Sequence, residues 1–333
     1  MTRLEQRFIR TMRKLARATG IPEANIRRNE YVRLCVDMDI QGRLNKQELN
    51  DAGGFQQLRD RFFEPPKILV DRPKILIFDI ETAPILAHVW GLWDNDVALN
   101  QIQSDWHVMS WAAKWLDDSP KKVMYEDQRH CKDMQDDSGI LESIWHLLDE
   151  ADAVITQNGI RFDRKKLNAR FALNGFPPPS SYKHIDTLQI AKKHFAFTSN
   201  RLAYLTDNLC VKYKKLDHGK FAGFKMWSEC MKGNMKAWKE MEKYNRYDVL
   251  SLEEVYKQLM PWDNTLNFNL YHDKDMYICS CGSKDFRNSG YFYNTTGKFQ
   301  RYTCNRCGAE TRDSKNLFSK EKKKALRRKT TRR

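Results

Sequence analysis

Between Pro73 and Pro84 the chain reads Lys-Ile-Leu-Ile-Phe-Asp-Ile-Glu-Thr, an apolar and largely β-branched run that predicts a buried strand over 74–82. Further runs predict strands over 109–115, 122–125 and 153–156, and a short one through 184–187 that feeds a helix. Between them the apolar period lengthens to that of a helix. Residues 139–149 place Ile140, Leu141, Ile144, Trp145 and Leu148 on one side. A helix over 163–174 stops at Gly175 and the Pro177-Pro178-Pro179 run, and a further helix is predicted over 236–259. Strands alternating with helices predict an α/β domain over 73–262, a mixed sheet flanked by helices. Trp90, Trp93, Trp106, Trp111 and Trp115 crowd its early part, and that density predicts core packing ahead of base stacking.

The flanks differ in pattern. In 1–66, Leu4, Phe8, Met12 and Leu15 fall at helical spacing, Thr19-Gly20-Ile21-Pro22 breaks that helix, and shorter pieces follow over 30–36 and 45–51. This small helical unit fits a helix-turn-helix DNA-binding module or, equally, a packing extension. Its stretch 44–63 resembles such modules in phage and mobile-element proteins. At the other end, 272–311 carries Cys279-Ser280-Cys281 and Cys304-Asn305-Arg306-Cys307 around an aromatic, basic stretch. Two such knuckles joined by a hairpin are the pattern of a zinc ribbon, with four thiolates closing a tetrahedral site for one structural Zn2+.

Composition changes the picture in two ways. The 333 residues carry a net charge of +15, which points to a polyanionic partner, most simply nucleic acid. Eleven Lys and Arg against two acids in 312–333 give that tail +9 and leave +6 for the rest, so the tail reads as a disordered phosphate binder or a solubilising extension. The basic N-terminus lacks the apolar segment of a secretory signal, and no run is long and apolar enough to span a membrane. The expectation is a cytoplasmic protein with no membrane partner, whose cysteines are reduced or metal-bound.

The chemistry concentrates in the first strand. Asp79 and Glu81 are two residues apart and share a face, so they repel each other and lose hydration together. Hard oxygen ligands side by side suit magnesium or manganese. Asp163 stands at the start of a predicted helix, and Tyr244 and Asp248 are four apart on one face of another. Singly, Asp163 and Asp248 read as ordinary helix acids. Asp186 reads as a helix cap or as a support to the carboxylates.

Phe-Asp-Ile-Glu-Thr, then Asn158-x-x-x-Phe162-Asp163, then Tyr244-x-x-x-Asp248 resemble the three motifs of the DEDD superfamily. These are RNase H-like 3′→5′ exonucleases, and the order and spacing over 73–260 resemble the proofreading domains of family B DNA polymerases. Lys243 stands where the superfamily's alternative form has a His, which implies the Tyr subclass. The resemblance implies that Asp79, Glu81, Asp163 and Asp248 hold two Mg2+ or Mn2+ ions about 3.5–4 Å apart. It implies that Tyr244 orients the attacking water and that Asn158 and Phe162 shape the substrate cleft. DNA is implied ahead of RNA, with a DNA polymerase or other replication protein as partner, in phage-like replication or repair. A ribonuclease of the same superfamily and a non-catalytic nucleic-acid-binding or polymerase-recruiting protein are the alternatives.

Overall fold

The computed structural model describes residues 2–21, 23, 26, 28–52, 54–63, 73–214, 216, 219–271 and 276–328. They fall into two units, 1–70 and 71–333.

The first unit is helical because its caps and apolar stripe agree. Helix α1 (Arg3–Thr19) starts with a reciprocal capping box between Thr2 and Glu5 and ends on Gly20 at φ 72°. Phe8, Met12 and Leu15 are fully buried against residues of α2 (Arg28–Asp37), α3 (Lys46–Asp51) and α4 (Phe55–Phe62). The helices expected over 30–36 and 45–51 are therefore α2, which begins two residues earlier, and α3, whose N-cap is Asn45. The end of the expected unit at 66 lies outside the described residues.

In the second unit, β1 (Ile75–Thr82) sets the layers by its alternation. Ile75 and Ile77 face a helical layer containing Val249, Leu252 and Tyr256. Leu76, Phe78 and Ile80 face the opposite layer, packed with Ile144, Leu148, Leu167 and Phe171. The first layer is α7 (Thr187–His194), α8 (Leu202–Leu209) and the long α10 (Met235–Leu259); the second is α5 (Ser138–Glu150) and α6 (Asp163–Leu173). Between them β4 (Val108–Trp115), β5 (Met124–Asp127), β6 (Ala153–Thr156) and β7 (Lys183–Asp186) join β1 in the order β5-β4-β1-β6-β7. The pairs β5–β4 and β4–β1 are antiparallel, and β1–β6 and β6–β7 are parallel. This is the mixed α/β sheet flanked by helices that the sequence predicts, RNase H-like in architecture.

A buried ion pair fixes α10 on the sheet. Lys114 of β4 is fully buried with its Nζ 2.7 Å from the Glu253 carboxylate. It also donates to the carbonyls of Trp115 and Asp118, which offsets the desolvation that makes such pairs costly.

Two expectations shift. The third strand begins at Met124 rather than at 122, because Pro120 starts a 3-10 turn whose Lys121 N–H is capped by Ser119. Of the tryptophans, Trp111 is buried and donates to the Ile140 carbonyl at 2.8 Å, but Trp90 and Trp93 are 99% and 85% exposed. They ride the hairpin between β2 (Leu86–Ala87) and β3 (Ile102–Ser104), whose pairing is too short to build a layer over them. Beyond α10 the chain forms a three-stranded ribbon, β8 (Phe286–Tyr293), β9 (Lys298–Cys304) and β10 (Glu310–Arg312), in the order β10-β9-β8. No helix among the described residues is long and apolar enough to cross a membrane.

Candidate active site

The period of two along β1 carries Asp79 and Glu81 onto the side of Ile75 and Ile77, facing α10. There α10 presents Tyr244, Asn245 and Asp248 within little more than one turn. Carboxylate oxygens of Asp79, Glu81 and Asp248 come within 4.8 Å of one another. Asp248 and Tyr244 are buried. Asn245 is also buried; its Nδ2 donates to Asp79 Oδ2 at 2.8 Å, and its Oδ1 accepts from Ser110 of β4 at 3.4 Å. From α9 (Lys225–Met231), Trp227 Nε1 donates to Glu81 Oε2 at 3.2 Å, and its ring stands edge-on to Tyr244 with centroids 6.4 Å apart. Both donors are neutral. They orient the carboxylates, and three converging acids suit a divalent cation with hard oxygen ligands.

Asp163 is not drawn into that trio. It opens α6, whose apolar face packs on the opposite side of the sheet, and its Oδ1 accepts from the Ile80 N–H at 3.4 Å. That N–H is available because β6 pairs with β1 only as far as Ile77. Burial pushes the Asp163 carboxyl well above the usual carboxylate range, and the nearby Asp186 adds to the rise. Asp186 itself accepts from the N–H groups of Asn158, Ile160 and Leu188, so it ties the turn after β6 to the start of α7. In that turn Asn158 sits at φ 67°, and its carbonyl accepts from the N–H groups of Arg161 and Phe162. Gly159 is required there, since a Cβ would meet Thr156 Oγ1 at 2.1 Å. Phe162 follows, partly exposed at 39%.

Asn245 and Trp227 were not anticipated. Asn245 could have been, because it lies three residues before Asp248 on the same helical face. Trp227 carried no such signal, being joined to Glu81 only across 146 residues of chain. Tyr247, on the far side of α10, stacks edge-on with Tyr213 instead.

A cleft of about 450 Å³ opens beside the trio, walled by residues 82–85, Trp106, Lys166, Phe224 and Trp227. Lys166 Nζ lies 3.6 Å from the centroid of the Trp106 ring. A second hollow of about 310 Å³ brings Lys236, Lys239 and Lys243 up to Tyr244. A larger cavity of about 560 Å³ lies between the ribbon and residues 261–269, and Asp79, Glu81 and Asp248 line none of these three cavities.

In the ribbon, Cys279, Cys281, Cys304 and Cys307 bring their sulfurs within 4.8 Å of one another. Cys279–Cys307 and Cys281–Cys304 sulfurs are 3.5 and 3.7 Å apart. Tetrahedral zinc with Zn–S bonds of about 2.3 Å puts its sulfurs about 3.8 Å apart, so the four residues fit that ion.

Residues 107–260 match the family model of the RNase H superfamily. The match takes in Asp163, Tyr244 and Asp248 and begins after β1, so Asp79 and Glu81 join the set through the sheet rather than through the match. It supports nuclease chemistry in general, and nucleases of this superfamily use divalent metals. Among solved structures, the chain is similar to the family B DNA polymerase from the hyperthermophilic archaeon Pyrobaculum calidifontis, with 14% identity and a TM-score of 0.39. That alignment covers 57% of this chain and 25% of the polymerase. No curated protein matches the chain.

Proposed function

We propose that the protein is a metal-dependent 3′→5′ exonuclease that hydrolyses phosphodiester bonds, in DNA ahead of RNA. The observation that carries the reading is the convergence of Asp79, Glu81 and Asp248, with Tyr244 one turn away on the same helix. Asp79, Glu81 and Asp248, joined by Asp163, would hold two divalent ions. When bound, such ions supply Lewis-acid stabilisation of the charge that builds on the phosphate and on the leaving 3′ oxygen. The chain's own groups do the positioning. Asn245 and Trp227 hold Asp79 and Glu81 in orientation. The Tyr244 hydroxyl directs the attacking water toward phosphorus, in line with the leaving oxygen. The Asn158 turn and Phe162 shape the end of the cleft, and Lys166 with Lys236, Lys239 and Lys243 meets backbone phosphates.

The four cysteines would hold a structural zinc. The helical unit and the basic tail would add contacts to nucleic acid, in cytoplasmic replication or repair alongside a polymerase and in a phage-like setting.

The test is a single-stranded oligonucleotide of one sequence, as DNA and as RNA, labelled at its 5′ end and incubated with magnesium. A ladder that shortens from the 3′ end, faster on DNA, is the expected result. Faster shortening of RNA would make the protein a ribonuclease of the same chemistry. Tight binding of both strands without cleavage would overturn the enzymatic reading and leave a recruiting protein.

A further inference from the structure

The ribbon carries a surface that neither metal-type site uses. Its register pairs Tyr293 with Lys298, Tyr291 with Gln300, and Asn288 with Tyr302. Paired residues and their second neighbours share a face, so Tyr291, Tyr293, Tyr302 and Lys298 all project on one side of the sheet. The other side holds Phe292 and the buried Phe299, with the Arg312 guanidinium carbon 4.1 Å from the Phe299 ring centroid. Tyr291 and Tyr293 are 46% and 60% exposed, large rings left at the surface of a small sheet. Their centroids are 6.5 Å apart at an interplanar angle of 64°. That is nearly twice the rise of about 3.4 Å between stacked bases, so each ring has room for a base of its own on a drawn-out strand. Lys298 Nζ lies 3.8 Å from the Tyr291 centroid and 5.9 Å from that of Tyr293, an ammonium held among the rings.

Charge decides what such a face can receive. Residues 276–328 carry thirteen Lys and Arg against four Asp and Glu. Another exposed aromatic feature, the hairpin with Trp90 and Trp93, has the opposite local charge. Residues 83–106 contain three aspartates and no Lys or Arg, so the hairpin brings no cation of its own to meet a phosphate. Aromatic rings interleaved with cations suit a single strand, because every base offers a π-face and every linkage a charge.

We propose that the tyrosine face of the ribbon is a second binding site for single-stranded nucleic acid, separate from the carboxylate cleft. Bases stack on Tyr291 and Tyr293, and Lys298 with the flanking cations pairs with phosphates. The site tolerates any sequence and needs no hydrolysis.

The experiment uses the full chain and a fluorescein-labelled 20-nucleotide oligothymidylate, with calcium in place of magnesium so that binding is read without turnover. Tyr291→Ala/Tyr293→Ala should bind at least about tenfold more weakly, since each lost stack costs that order of affinity. Tyr291→Phe/Tyr293→Phe, which keeps the rings, should bind as the native chain does. Zinc content should be the same in all three, and cleavage of a trinucleotide in magnesium should be unchanged if the chain is a nuclease. Native-like binding by the alanine variant at full zinc content would overturn the proposal and leave the face to a protein partner. Should that variant lose zinc, photo-crosslinking of the unaltered protein to a 4-thiothymidine oligonucleotide decides. Adducts in residues 288–298 support the site, and adducts found only elsewhere overturn it. A chain without nuclease activity that still crosslinks there would refute the exonuclease reading while sustaining this one.

Discussion

The carboxylate cleft and the cysteine ribbon both gather side chains that could hold a metal, yet they are built by opposite means. Asp79 and Glu81 stand in the central part of a five-stranded sheet with apolar layers on both sides, and Asp248 arrives on a 25-residue helix locked to that sheet through Lys114 and Glu253. The framework there rests on apolar burial that owes nothing to an ion. In the ribbon, three short strands bury little beyond Phe299, Thr303, Cys279 and Cys304. On the proposed reading, an ion held by the four cysteines would supply what that small core lacks. A rigid host can place like charges together and let an ion use them for chemistry. A host with so small a core would use the ion as part of it.

The comparison breaks most sharply at the carboxylates. Asp79→Ala/Glu81→Ala should lower 3′-end cleavage by at least about 10³-fold while leaving the melting temperature and the affinity for an oligonucleotide near native. A double variant that unfolds, or one that still turns over, would remove the contrast. Cys281→Ser/Cys307→Ser should do the reverse, losing zinc and the ordered ribbon while cleavage of a short oligonucleotide persists. Metal analysis with amide hydrogen exchange over 276–312 reads that outcome.

Asn245→Ala comes next, at about 10–100-fold in kcat/KM and a raised magnesium requirement, because Asp79 loses the amide that orients it. The smallest effect concerns Asp163, whose carboxyl is raised by burial and by Asp186. A raised acid costs stability as pH climbs from its unfolded value, about 4, to its folded one, and the cost is complete above that. Metal-free Asp163→Asn should therefore melt higher than the native chain, by a few degrees at pH 8 and by almost nothing at pH 4. An equal gain at both pH values would mean that the carboxylate carries no such strain.

Much of this was legible in the sequence because the periods were clean. The alternation of β1 announces both the buried strand and the shared face of Asp79 and Glu81, and the spacing of Tyr244 and Asp248 places them together on α10. The four cysteines announce their cluster through the knuckle spacing alone. What could not be read depends on contacts remote along the chain. Trp227 reaches Glu81 from α9, and no local pattern marks it. Asp163 was grouped with the other acids by motif; its hydrogen bond from the Ile80 N–H, beyond the end of the β1–β6 pairing, had no local signal. Trp90 and Trp93 were expected in the core on composition, and the short β2–β3 pairing leaves them in water. The roles of Asn158 and Phe162 rest on the proposed reading, whereas their place at the turn into α6 is set by Asp186 and Gly159.

The most direct test of the central claim is anomalous diffraction from crystals soaked in manganese. Manganese density bounded by Asp79, Glu81 and Asp248, together with a zinc peak at the four cysteines, is the result this account predicts. Manganese elsewhere, with those three carboxylates unliganded at saturating metal, would contradict it.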